Sequence, residues 1–212
     1  MKPVRLDIFA DPVCPWCYVG KANLDRALEA APDYPFIVQW HPFRLNPDMP
    51  REGVPKRAWL EERLGGAARV DAVHDRLREV ARAAGLPLNP DVPKRIPDTL
   101  DAHRLIHWAG IEGRQSTVVS ALFRAYWVEG RDIGNPAVLA DIAAAAGMDR
   151  DAVARLLASD ADAADIAARD GDARAKGVTS VPTWLIGQHY VVTGAQPPEL
   201  WAQVIEDLRK AQ

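Results

Sequence analysis

Cysteine is scarce in this sequence: its 212 residues hold two, Cys14 and Cys17, three positions apart. One pair in a chain this long is no disulfide scaffold, so the pair is expected to react rather than to staple the fold. Long apolar runs are also lacking. No stretch reaches the roughly 18 apolar residues of a membrane span, and Met1-Lys2-Pro3 leads straight into strand-like alternation, without the apolar run and cleavage site of a secretory signal. Nor is charge of one sign gathered anywhere. Lys and Arg number 26 against 29 Asp and Glu, for a net charge of −3 spread along the chain, which argues against nucleic acid or an anionic membrane as partner. These absences together predict a cytoplasmic protein.

What is present reads as an ordinary globular chain, 48% apolar and 26% charged, with enough residues for a substantial core. Val4, Leu6 and Ile8 alternate with Arg5, Asp7 and Phe9 until Asp11-Pro12 breaks the period, which predicts a first strand. Helical spacing follows Cys14, with Pro15 suited to a first helical position, and runs through Leu24, Ala27, Leu28 and Ala31 to the stop at Pro32 and Pro35. Phe36 to His41 predicts a second strand with Phe36, Val38 and Trp40 on one face.

A proline-rich stretch from Pro42 to Pro55 precedes a long helical region. Val73, Leu77, Val80, Ala81 and Ala84 fit one helix face closed by Gly85, and Val118, Ala121, Leu122, Ala125 and Tyr126 fit another. Asp98 is placed to cap a helix, and Asn135-Pro136 to start one more. The alanine-rich stretch from Asp141 to Ala175 favours helix. From Val178 to Ile186 the chain turns β-branched and aromatic, Gly187-Gln188 offers a hairpin into Tyr190-Val191-Val192, and a helix from about Pro197 to Leu208 closes the order. This order resembles an α/β, thioredoxin-like fold with a large inserted α-helical domain. Residues 1–45 and 175–212, with a helix at about 160–175, would form the thioredoxin-like part, and residues from about 55 to 158 the insertion.

The chemistry is concentrated in Cys14-Pro15-Trp16-Cys17. Disulfide exchange needs a thiolate, and a free cysteine titrates only near about 8.5. Cys14 precedes a helix, where unpaired N–H groups and the macrodipole favour negative charge, and Cys17 one turn later can donate to that sulfur and then attack a mixed disulfide. Cys14 is therefore the expected nucleophile and Cys17 the resolving thiol. Trp16, between them, is expected to be partly exposed, to tune the thiolate and to touch substrate. Asp7, on the strand before the motif, is a candidate buried acid to accept the proton of Cys17; Asp11, nearer in sequence, can equally cap the turn. His103 and His107 stand at i and i+4, but the C-x-x-C pair lacks a second ligand pair, so no metal is expected.

These residues resemble the DsbA family of thiol–disulfide oxidoreductases, and within it the FrnE-like branch. The likeness extends beyond Cys14-Pro15-Trp16-Cys17 to the whole of Asp11 to Lys21, then Asp101-Ala102-His103-Arg104-Leu105, Glu129 to Ile133, Val178 to Pro182 and Gly194 to Pro198, spanning nearly the whole chain. It implies that Cys14 and Cys17 are the redox pair and that Pro182 is a cis-proline beside them. Pro15, Trp16, Val181 and Thr183 would then bind substrate or tune the thiols. In thioredoxin and DsbA the buried acid lies six residues before the first cysteine, where this chain has Ile8, so Asp7 is one residue out of register. The resemblance includes the 2-hydroxychromene-2-carboxylate isomerases and kappa-class glutathione transferases, which use glutathione and typically carry Ser at the first cysteine position. Retention of both cysteines favours redox chemistry over isomerase or transferase chemistry, and over a non-catalytic peptide-binding module. No tightly bound cofactor is expected. Glutathione could be a co-substrate, the substrate would be a protein or small-molecule disulfide or thiol, and the sequence leaves a homodimer open.

Overall fold

The computed structural model describes residues 3–210. β1 (Val4–Ala10), α1 (Pro15–Ala30) and β2 (Phe36–Pro42) open the chain as the expected β-α-β unit. β1 and β2 pair in parallel, Val4 opposite Phe36 and Ala10 opposite Pro42, which requires a crossover such as α1. Near the other end come β5 (Thr183–Ile186), β6 (Tyr190–Thr193) and α9 (Pro198–Lys210), and the four strands form one sheet in the order β2-β1-β5-β6. β5 runs antiparallel to both β1 and β6. Between Gly187 and Gln188 the hairpin turns with positive φ at both residues, 58° and 65°, as the primed turns require.

Period two along β1 sorts its side chains. Leu6 and Ile8 face the side on which their partners Ile186 and Trp184 also lie, and all four are buried. Trp184 packs edge-on against Trp201 of α9, with ring centroids 4.8 Å apart. α1 reaches the same face at Gly20, where a Cβ would stand 2.9 Å from the Trp184 ring and 3.2 Å from Pro182. Asp7 and Phe9 point to the opposite face, where Phe9 stacks on His41 of β2.

The helical block runs between β2 and the sheet's second half. It comprises β3 (Val54–Pro55), α2 (Lys56–Leu64), α3 (Ala67–Ala83), β4 (Arg95–Ile96), α4 (Leu100–Ile111), α5 (Gln115–Trp127), α6 (Pro136–Ala145) and α7 (Arg150–Leu157), after which α8 (Ala163–Ala175) returns to pack on β2 and α4. Ala102, Leu105 and Ala109 on α4 meet Val118 and Leu122 of α5 and Leu139 of α6 in one core continuous with that of the sheet. The buried Arg104 guanidinium donates to Asp101 and to the carbonyls of Leu156, Ser159 and Ala161, fixing the α7–α8 connection. Gln115, first residue of α5, uses its amide as a strand would: Oε1 accepts from Trp40 N at 2.8 Å and Nε2 donates to Trp40 O at 3.1 Å.

Three expectations are corrected. The inward stripe of α3 is Val70, His74, Leu77 and Ala81, spaced 4, 3 and 4 as a helix face demands, while Val73 is 47% exposed. Asp98 precedes the α4 cap residue Thr99, although its carboxylate accepts from Leu100 N at 3.0 Å. β5 begins only at Thr183, because Pro182 has no N–H to give the ladder and the residues before it form a loop. Asn135 caps α6 as expected, accepting from Ala137 N.

Two glycines in helices separate the physics of propensity from that of packing. Gly171 in α8 has open space around its Cβ position, so Gly171→Ala should stabilise by up to about 1 kcal/mol through helix propensity. Gly20→Ala gains the same propensity but must push aside a rigid buried indole, at a cost of about 1–3 kcal/mol. Urea denaturation should show the first variant more stable than the parent and the second less stable.

Candidate active site

The end of β1 turns into α1 through Asp11-Pro12-Val13. The Asp11 carboxyl accepts from Val13 N at 3.3 Å, and Cys14 N donates to Asp11 O at 2.9 Å. Trp127 of α5 fixes the same turn from outside, its Nε1 donating to Pro12 O at 3.1 Å. Cys14 is the cap residue of α1, with extended φ and ψ of −86° and 115°, and Pro15 occupies the first turn. The motif therefore opens α1 at the N-terminal end of its dipole.

Both cysteines are free thiols and nearly covered, Cys14 at 3% and Cys17 at 1% exposure, whereas Trp16 between them is 39% exposed. The Val181–Pro182 peptide bond is cis, and the carbonyl of Val181 lies 3.6 Å from Cys14 Sγ. The distant sequence motifs converge here: Gly194 N donates to Pro182 O at 2.8 Å, and Asn23 of α1 donates to Gln196 O at 2.9 Å. Thr183 is placed differently from the expected substrate contact. It is buried, and its hydroxyl donates to Ser180 O at 2.7 Å, so it braces the loop before the strand.

The electrostatics bear on the second sulfur, that of Cys17. Burial pushes the Cys17 thiol well above the usual range, the hydrogen bond and charge of the Cys14 sulfur push it further, and the N–H of Asp11 acts in the opposite direction. The Cys17 thiol is therefore hard to deprotonate while the Cys14 sulfur stays reduced beside it. Asp11 itself is fully buried, and desolvation raises its carboxyl from 3.8 to about 7 against the N–H groups of Leu45 and Val13, the Thr99 hydroxyl and the charge of Arg44.

The acid beside Cys17 is thus Asp11, and the expectation for Asp7 is corrected. Alternation along β1 turns Asp7 to the face away from α1, where Arg5 and His41 each approach its carboxylate to 2.6 Å. Asp11 closes the turn through the same carboxyl that stands next to the resolving cysteine. The two α4 histidines part company: His103 is buried against Asp11, and His107 meets Arg169. Arg44 escaped the sequence reading because it lies in the irregular proline-rich stretch; its buried guanidinium pairs with Asp98 at 2.6 Å.

Cavities open on both sides of the motif. On the side of Val13 and Pro15, a mostly apolar one of about 300 Å³ is walled by Trp59, Val73, Tyr126 and Trp127, which accounts for the exposure of Val73. Lys56 borders it, 4.8 Å from the Trp127 ring centroid, its ammonium lowered to about 8 by burial. On the side of Trp16, a wider groove of about 500 Å³ runs between Val19 and Asn23 of α1, Val80 of α3 and Ala195-Pro197.

Comparison with known proteins agrees with this geometry. A probable DsbA oxidoreductase from Streptomyces coelicolor shares 31% identity and superimposes with a TM-score of 0.88, over 99% of this chain and 91% of that one. The uncharacterized protein YwbO of Bacillus subtilis is 25% identical over 214 residues, 98% of each chain. The cytosolic disulfide reductase DsbM of Pseudomonas aeruginosa, also solved with GSH, shares the fold at a TM-score of 0.72 and 21% identity, over 98% of this chain and all of that one. Residues 5–206 match the family described as DSBA-like thioredoxin domain, and the chain belongs to that family.

Proposed function

We propose that this protein is a dithiol–disulfide oxidoreductase in which Cys14 attacks and Cys17 resolves. The observation that carries the reading is the ordering of the thiols: Cys14 caps a helix, while burial and the Cys14 sulfur itself keep the proton on Cys17. In the reducing direction the Cys14 thiolate attacks a substrate disulfide, forming a mixed disulfide and releasing one substrate thiolate, which takes up a proton. Cys17 then gives its proton to the Asp11 carboxylate and attacks Cys14 Sγ. The second substrate thiolate leaves, and the protein retains a Cys14–Cys17 disulfide, two electrons poorer. The same steps in reverse oxidise a dithiol.

Substrate would lie in the cavities flanking the motif, against Pro15 and Trp16, with Val181 and Pro182 beside Cys14 beneath it and the Val181 carbonyl exchanging its contact with the Cys14 sulfur for one with an extended partner. A disulfide carrying an apolar group fits the side lined by Trp59 and Trp127. A cytoplasmic location would supply glutathione, two molecules of which return the disulfide to dithiol. No helix among the described residues is long and apolar enough to cross a membrane.

Cys14→Ser should abolish turnover, and Cys17→Ser should accumulate a mixed disulfide detectable by mass. Equilibration in graded glutathione buffers followed by acid quench and thiol counting should show one two-electron transition between about −280 and −120 mV. Stable single glutathionylation of Cys14 in the parent, without closure by Cys17, would replace this reading with a glutathione-dependent transferase or isomerase.

Asp11 supplies a stability prediction with a definite sign. Its folded value is raised from 3.8 to about 7, so the stability attached to its proton is fully present below about pH 4 and is lost as pH rises through 7. The loss has an upper bound of about 4 kcal/mol. Asp11→Asn removes it, so thermal unfolding should show the variant gaining on the parent steadily from pH 4 to pH 8.

A further inference from the structure

We infer that His103, on α4 of the helical block, is a positioning residue for the thiol chemistry, its imidazole being the partner through which Asp11 holds and releases the proton exchanged with Cys17. The inference rests on the oxidoreductase reading and on Asp11 as proton acceptor.

The geometry is that of one helix addressing both oxygens of one acid. Thr99 and His103 lie four residues apart and so share a face of α4. Thr99 Oγ1 reaches Asp11 Oδ2 at 3.5 Å, and His103 Nε2 stands 3.8 Å from Asp11 Oδ1. His103 is 3% exposed, and its Nε2 has no hydrogen-bond partner among the described residues. A buried ring nitrogen without a partner is rare and is a reason to ask what it serves. Here it points at the group that changes protonation, and closing the gap to hydrogen-bond length takes a movement of roughly 1 Å.

Imidazole suits this position because its neutral form can offer either an N–H or a lone pair at Nε2. As the Nε2–H tautomer it donates to the carboxylate when Asp11 is ionised, and with that proton moved to Nδ1 it accepts from the acid when Asp11 is protonated, so neither state leaves Asp11 unsatisfied on that side. The Thr99 hydroxyl can also donate or accept, but it faces the other carboxyl oxygen, Oδ2, whereas His103 faces Oδ1. Cys17 faces the acid from α1, Arg44 from the loop after β2 with its charge paired to Asp98, and Tyr126 from α5. Asp170 of α8 stands behind Arg44, accepting from its backbone N–H. Burial and then the Arg44 charge hold His103 down to about 3, so the ring stays neutral and the proton belongs to Asp11.

The test is the pH profile of a single step. Mixed disulfide between Cys14 and glutathione is formed, and the rate of its closure by Cys17 is followed by acid quench and mass from pH 5 to 9 in the parent, His103→Leu, His103→Gln and Asp11→Asn. The parent should show an acid limb near pH 7. His103→Leu, which takes a donor from the carboxylate, should move the limb up by about one unit, a tenfold slower step below it, with the plateau unchanged. His103→Gln, which keeps a polar atom in place, should retain the parental limb. A folded His103→Leu variant with the parental limb overturns the inference. If that variant does not fold, His103→Asn, too short to reach Asp11, takes its place with the same two outcomes. If Asp11→Asn keeps the limb, Asp11 is not the acceptor, and if the parent never closes its disulfide, the oxidoreductase reading fails. Either result also overturns the role of His103.

Discussion

The carboxyl group of Asp11 sits where the end of β1, the loop after β2 and the start of α4 meet. Its oxygens accept from Val13 N, Leu45 N at 2.7 Å and the Thr99 hydroxyl. Local turn, neighbouring strand connection and helical block thus share one buried acceptor, and the turn in question delivers Cys14 to the tip of α1. An ordinary surface aspartate could close such a turn without any penalty. Burial makes the group costly to ionise and therefore ready to exchange a proton near neutrality, so a single side chain links the shape of the motif to its chemistry.

The helical block is more than an attachment to the sheet. α5 contributes Trp127 to the Pro12 carbonyl and Gln115 to the Trp40 backbone, α4 contributes the Thr99 and His103 face, and α2 and α3 wall the cavity beside Pro15. This block supports the cysteine turn together with the loop after β2 and the Val181–Pro182 loop. That arrangement also explains how motifs as far apart in sequence as Asp11-Pro12 and Asp101 to Leu105 come to act at one place.

Much of this was legible in the sequence where a local rule determines the outcome. The β-α-β opening follows from period two giving way to helical spacing at Asp11-Pro12, and the reactive pair follows from two cysteines with a proline at the first helical position. Legibility ended where the answer depends on which way an element is rotated or on a contact distant in sequence. Asp7 is the candidate acid by its place on the strand before the motif, but the pleat of β1 turns it toward His41. Val73 matched the apolar face of α3 but lines a cavity, while His74 took the inward place. Arg44 lies in a stretch with no periodicity at all, and only the closure of the chain reveals that it is buried beside Asp98.

The amide of Gln115 has a further consequence for how the sheet meets other molecules. By matching one donor and one acceptor of Trp40, it occupies the lateral hydrogen-bonding positions that a foreign strand would need beside β2. Among the described residues the opposite boundary is covered at one acceptor only: β6 is outermost there, the Gln196 amide donates to Thr193 O at 2.7 Å, and Tyr190 and Val191 are 71% and 63% exposed. Its protection is brevity, since four residues offer an incoming chain few rungs to climb. The molecule guards its two margins by unlike means, occupation on one and shortness on the other, so lengthening β6 by a few residues would alter its solution behaviour far more than the same insertion beside β2.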